Sequence, residues 1–176
     1  MREMYLKEDG VFLSLVEETD VSVLREIQNS EFVRGFMSSS LPKTDEDVLN
    51  DIRSTKKSGS PYFLIQIFEK ADYQIIGFVK LEIISSVIRA AEIHIGILEE
   101  YTGKGIGRKV IDMITKYAFN DLNIHSIRAL IREKNIASMR AFESQGYQKV
   151  GTLPEWSYYD GDYHDCYIYD CIPKFR

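Results

Sequence analysis

The chain lacks the marks of several protein classes. It has two cysteines in 176 residues, three histidines and no Cys-x-x-Cys pair, too little for a disulfide framework or a zinc ribbon. Cys166 and Cys171, five apart in a strand-like run, point to opposite faces and read as reduced packing residues. His94, His125 and His164 are scattered without converging partners, so no metal is expected. No apolar run approaches the ~20 residues of a membrane span. Met1 is followed by Arg2, Glu3, Lys7, Glu8 and Asp9 where a signal peptide is apolar. These two absences lead us to expect a cytoplasmic protein with no membrane partner. Positive charge is also scarce: 22 Lys and Arg stand against 27 Asp and Glu, a net charge of -5. Such a surface is a poor match to a nucleic-acid backbone, so no nucleic-acid partner is expected. Proline-rich linkers, repeats and low-complexity tracts are missing too. The softest stretches, Ser38-Ser39-Ser40-Leu41-Pro42 and Lys56 to Pro61, read as loops inside one domain spanning 1–176.

What is present is the composition of a packed globular chain, 44% hydrophobic and 28% charged. Val11, Leu13 and Leu15 alternate as a strand. Thr19-Asp20 is expected to cap a helix carrying Val23, Leu24 and Ile27, and Thr44 a second helix carrying Val48, Leu49 and Ile52. Tyr62 to Phe68, Ile75 to Ile84 and Ala91 to Leu98 read as strands. From Gly107 the period turns helical through Val110, Ile111, Ile114, Tyr117, Ala118 and Leu122. Ser126 to Arg132 is a strand, Ile136 to Gln145 a helix ending at Gly146, and Tyr147 to Leu153 and Tyr163 to Ile172 the last strands, with Asp160-Gly161 a hairpin turn. The order β-α-α-β-β-β-α-β-α-β-β predicts an α+β fold: a mixed, mostly antiparallel central sheet with helices on both faces.

The chemistry gathers around Thr102-Gly103-Lys104-Gly105-Ile106-Gly107-Arg108, a glycine-rich loop between a strand and a helix. Glycines let backbone amides converge on phosphate oxygens, and a helix N-terminus favours negative charge. Read alone, the loop is either that or simple steric relief. A Walker loop is excluded because no Gly-Lys-Ser/Thr occurs, and one residue between the last glycines disfavours the dinucleotide fingerprint.

This loop resembles the Gln/Arg-x-x-Gly-x-Gly/Ala pyrophosphate loop of the GNAT family of N-acetyltransferases. Downstream, Asn135-Ile136-Ala137-Ser138-Met139-Arg140-Ala141-Phe142-Glu143-Ser144-Gln145-Gly146-Tyr147 resembles the family's Asn-x-x-Ser/Ala-x-x-x-Tyr/Phe-Glu-x-x-Gly-Phe/Tyr segment. Gly151 to Leu153, Tyr158-Tyr159-Asp160-Gly161, Asp165 and Ala91-Glu92-Ile93 are similar to the spermidine and ribosomal-protein acetyltransferase branches.

The resemblance implies acetyl transfer from acetyl-CoA to a primary amine, of a small molecule such as a polyamine or amino sugar, or of a protein N-terminus. It implies that backbone at Ile95, Gly96 and Ile97 holds the pantetheine, that amides of Thr102, Gly103, Lys104, Gly105, Ile106, Gly107 and Arg108 bind the pyrophosphate, and that Asn135 touches the cofactor. Asn135 reads equally as a helix cap. Thr102 replaces the usual Gln or Arg, and Phe142 stands at a cofactor-site position where many members carry an acidic Tyr. Ser138, on the same face, is then the candidate acid, or a small packing residue. Glu92 is the candidate base, or one half of a sheet-face salt bridge. The tail residues Trp156, Tyr158, Tyr159, Asp160, Asp162, Tyr163 and Asp165 line an acceptor site or form an ordinary hairpin. Ser38-Ser39-Ser40 lies where the spermidine branch is acidic, which argues against a polyamine. A catalytically weak CoA-binding partner protein is the alternative that Phe142 favours, and a homodimer is left open.

Overall fold

Strand β4 (Asp72–Ser85) sends Val79 and Leu81 to one face of the sheet and Phe78 to the other, and all three are buried. A strand apolar on both sides must be covered on both sides. In this computed structural model, which describes residues 3–37, 41–69, 71–159 and 161–173, that is what the helices do. The other strands are β1 (Leu6–Glu8), β2 (Val11–Leu15), β3 (Tyr62–Glu69), β5 (Ala90–Ile97), β6 (Ser126–Arg132), β7 (Gln148–Tyr159) and β8 (Asp162–Cys171). The helices are α1 (Val21–Asn29), α2 (Glu31–Phe36), α3 (Asp45–Ser58), α4 (Ile106–Asn120) and α5 (Ile136–Ser144).

One eight-stranded sheet runs in the order β1-β2-β3-β4-β5-β6-β8-β7. Every pairing is antiparallel except β5 with β6. Val110, Ile111 and Ile114 of α4 pack on Val79, Leu81, Ile93 and Ile127. On the opposite face Leu24, Ile27, Val48 and Ile52 of α1 and α3 pack on Leu64 and Phe78. Each such side chain, when fully buried, contributes about 1.5–3 kcal/mol. Cys166 and Cys171 are buried as thiols, with no disulfide between them.

The Thr44 cap forms as a reciprocal box: Asp47 N donates to Thr44 Oγ1 at 3.2 Å and Thr44 N to Asp47 Oδ2 at 2.8 Å. Other expectations need correction. Asp20 does not cap α1 with its side chain; its carboxylate accepts from Glu17 N at 2.8 Å across a 3-10 turn that precedes the helix. Helix α4 starts at Ile106 and ends at Asn120, so Leu122 packs from beyond its end. Strand β7 runs on past Leu153 to Tyr159 through a bulge at Leu153/Ser157, where Glu155 takes a φ of 50°. β1 and α2 add one strand and one helix to the expected order. Asp160 and Ser38-Ser39-Ser40 lie outside the described residues.

What positions the site is a parting of strands. β5 and β6 pair only from Ala90–Ser126 to Glu92–Arg128. Beyond that β6 continues with β8 as far as Arg132–Cys166, while β5 stays with β4 to Ile97. Backbone of β5 after Glu92 therefore faces a gap instead of a neighbouring strand.

Candidate active site

That gap opens into a cavity of about 440 Å³. Ile95, Gly96 and Ile97 form its floor. Phe32, Val33, Phe36 and Met37, from α2 and the residue after it, form an apolar wall. Asn135, Ala137, Ser138 and Ala141, at and within α5, face them. Gly96 is required here by close approach: a Cβ would lie 2.7 Å from Phe78 Cε1 and 2.9 Å from Val33 Cγ1.

The glycine loop closes the far end. Gly105 sits at the N-cap of α4 with a φ of 78°, a left-handed conformation that side chains disfavour. Lys109 N donates to Gly105 O at 3.3 Å. The amides of Ile106, Gly107 and Arg108 precede that first helical bond and carry the positive end of the helix dipole. Gly103, Gly105, Gly107 and Arg108 line the cavity. Thr102 also lines it, its Oγ1 donating to Glu99 O at 2.8 Å, so it fixes the turn before the loop. Lys104 Nζ lies over the ring of Tyr101, itself a lining residue, 5.0 Å from its centroid, and the Ile106 side chain belongs to the core. Ile106 contributes backbone alone.

Asn135 combines both of its readings. Its Oδ1 accepts from Ser138 N at 3.1 Å, capping α5, and the residue lines the cavity. Ser138 is half-buried on that wall. Phe142 does not line the cavity: it is 2% exposed, its ring edge-on to Tyr147 at 4.9 Å in the core under α5. The turn of helix that brings Ser138 and Ala141 to the cavity points Phe142 inward. Tyr147 cannot replace it, because its hydroxyl is buried 2.9 Å from Thr115 Oγ1.

Glu92 also lies off the cavity. Residues 92, 94 and 96 share one face of β5, and at about 3.4 Å per residue Glu92 stands roughly 14 Å from Gly96, His94 roughly 7 Å. His94 is the nearer group, and sequence reasoning passed over it because its neighbours are distant in the chain. It lines a second cavity, of about 200 Å³, with Gln28, Asp51, Tyr62, Lys80 and Glu82. Its Nε2 is 3.4 Å from Glu82 Oε2 and 3.5 Å from Glu92 Oε1, ion-pair distances without hydrogen-bond geometry. Burial, then the Lys80 ammonium, pushes the His94 pKa below the usual imidazole value. Burial, then the Glu82 carboxylate, pushes the Glu92 pKa up. Of the aromatic and acidic tail, Trp156, Tyr158 and Tyr163 are exposed and line neither cavity, and Asp165 Oδ1 accepts from Glu155 N at 3.0 Å to secure the bulge. Among the described residues no three His, Cys, Asp or Glu side chains gather as metal ligands, and no helix is long and apolar enough to cross a membrane.

A parted parallel strand pair with a glycine loop at a helix start defines the class. The acetyltransferase (GNAT) domain model matches residues 11–148, and the chain belongs to that family. Among characterised relatives it is similar to spermidine N(1)-acetyltransferase of Vibrio cholerae, 33% identical over 99 residues, 56% of this chain and 57% of that protein. It is also similar to the probable N-acetyltransferase YjcK of Bacillus subtilis, 35% identical over 86 residues, 48% of each. The chain spans about half the length of these two relatives. Its fold matches the crystal structure of spermidine N-acetyltransferase from Vibrio cholerae with CoA and spermine, with a TM-score of 0.84 at 22% identity over 94% of this chain and 96% of that one. The residues of the larger cavity fit a CoA thioester: amides at a helix start and Arg108 for phosphates, and an apolar channel along an open strand edge for the arm.

Proposed function

We propose that the chain, acting as one domain over 1–176, is an acetyl-CoA-dependent N-acetyltransferase whose acceptor is the primary amine of a small molecule or of a protein N-terminus. The observation that carries this reading is the cavity running from the start of α4 to the open edge of β5 at Ile95–Ile97. When bound, acetyl-CoA supplies an acyl thioester open to attack by an amine. Amides from Gly103 to Arg108 hold the phosphates, and backbone at the open edge orients the acyl end and stabilises negative charge developing on its oxygen. Ser138 is the hydroxyl positioned to donate at the α5 wall. An alkylammonium has a pKa of about 10.4 and must lose a proton before it attacks. His94, kept neutral by burial, accepts that proton, and Glu92 and Glu82 beside it steady the resulting charge.

The test has two arms. Acetyl-CoA at a hundred times its Kd raises stability by about 2.7 kcal/mol, seen as a rise in Tm. Release of free thiol is then followed against a panel of amines. Turnover supports the enzyme, tight binding without turnover supports a CoA-responsive partner protein, and no thermal shift rejects both.

A further inference from the structure

His164 of β8 is 6% exposed, and each of its ring nitrogens meets an acceptor. Nδ1 is 2.9 Å from Glu133 Oε1, and Nε2 is 3.2 Å from the carbonyl oxygen of Tyr159. A neutral imidazole has one N–H and can donate to only one of them. An imidazolium donates to both, and the bond to the Glu133 carboxylate is then charge-assisted.

The two partners lead to opposite walls of the larger cavity. Tyr159 lies against α2, where a Cβ on Gly35 would stand 3.3 Å from the Tyr159 hydroxyl oxygen. Helix α2 carries Phe32, Val33 and Phe36 of the apolar wall. Glu133 sits in the turn from β6 to α5, two residues before Asn135, which caps α5 and lines the facing wall. Glu133 N donates to Asp165 O at 3.1 Å, so the same turn is also tied to β8 by its backbone. One side chain thus joins the strand that backs α2 to the turn that starts α5.

The charges around the ring are few. Arg132 stands opposite Cys166 in register and so shares a sheet face with His164 as its diagonal neighbour, where it opposes a second cation. Glu133, in direct contact, favours one. On β8 itself, Cys166 has its thiol pushed toward the neutral form by burial, Asp162 Oδ1 accepts from Tyr163 N, and Asp165 Oδ1 accepts from Glu155 N.

We propose that His164 is a positioning residue for the cofactor cavity: donating at both nitrogens, it holds the α2 and α5 walls in register, so that acetyl-CoA binds best when the ring carries two protons. This rests on the reading of the larger cavity as an acyl-CoA site.

The experiment measures the Kd for acetyl-CoA by calorimetry from pH 6 to pH 9, for the full chain and for His164→Gln, which keeps a donor without the charge. The ratio of the two constants cancels titration of the cofactor's own phosphates. It is expected to be about tenfold near pH 6, the strength of one charge-assisted bond, and to fall toward one near pH 9, where the wild-type ring has a single proton. Glu133→Gln removes the carboxylate and leaves the ring in place, so the wild-type loss of affinity moves to lower pH. In 15N spectra of histidine-labelled protein, both ring nitrogens of His164 are expected to be protonated near pH 6. The last two readouts stand even where His164→Gln fails to fold. A ratio flat with pH, a Glu133→Gln profile superimposed on the wild type, or a single ring proton near pH 6 each overturns the proposal and leaves the cofactor reading standing. Failure of acetyl-CoA to bind the wild type at any pH rejects that reading, and the proposal with it.

Discussion

Two glycines of one loop, two positions apart, are held by different forces. Gly105 needs its left-handed φ of 78°, whereas Gly107 has ordinary helical backbone and a Cβ there would sit at 3.6 Å from Ile97 Cδ1, an unstrained contact. Gly105→Ala is therefore expected to cost about 1–2 kcal/mol of stability, read as a drop in Tm without ligand. Gly107→Ala should leave the ligand-free Tm unchanged and weaken acetyl-CoA binding by filling the phosphate cradle; equal affinity would remove Gly107 from it. The glycine run was legible because its spacing is a backbone requirement. Phe142 was misplaced for the converse reason: helical spacing puts it one turn from Ser138, but which side of that shared strip meets the cavity is set by how α5 rolls on Tyr147. Ser138→Ala is expected to lower kcat about tenfold with little change in the KM for acetyl-CoA, since help to a departing thiolate strengthens only in the transition state. A change confined to KM would assign Ser138 to binding.

At the scale of elements, sequence reading missed β1 and α2, and α2 walls the cavity. β1 is announced by Asp9-Gly10, whose φ values of 43° and 81° fit a two-residue hairpin turn, but three residues are too few for an alternation to be counted. The six-residue α2 has a Ser30 cap, with Val33 N 3.4 Å from its Oγ, yet too few turns for a period to be read, and its Phe32, Val33 and Phe36 line the cavity. What holds so short a helix is Arg132, at the end of β6. Its guanidinium, in a residue only 7% exposed, donates to Gly35 O at 2.7 Å and to Met37 O, with its Cζ 5.7 Å from the centroid of the Tyr159 ring. Burial lowers its pKa, yet it stays charged. Arg132 thus ties the apolar wall to the strand on the far side of the gap. Arg132→Met is expected to lose about 2 kcal/mol, the worth of charge-assisted bonds to the two carbonyls, and to raise the KM for acetyl-CoA more than it lowers kcat. An intact KM alongside the lower Tm would make the tie purely structural.

At the scale of the whole molecule, opening a sheet leaves polar groups half-buried on its inner face, and the fold then titrates with them. The α+β architecture and the helices on both faces followed from residue patterns. The face shared by His94, Glu82 and Asp51 did not, because it is assembled from β5, β4 and α3. Glu92, its pKa raised in the fold above the reference of 4.5, binds its proton more tightly folded than unfolded. Stability is then unaffected below the unfolded value and falls as pH climbs through the raised one, as the buried charge forms. His94, its pKa lowered from 6.5, runs the other way: stability is full above 6.5 and is lost as pH falls from there through the lowered value. Glu92→Gln should therefore raise Tm at pH 7.5, with the gain gone near pH 4. His94→Gln should instead flatten the loss of stability on the acid side of about 6.5. In activity the ranking reverses. Removing the proton acceptor lowers kcat/KM at neutral pH by about a hundredfold. That deficit narrows as pH rises toward the pKa of the acceptor, whose free base then needs no help. A loss in His94→Gln independent of pH would return the imidazole to a structural role, and a larger, pH-dependent loss in Glu92→Gln would restore the carboxylate as the base.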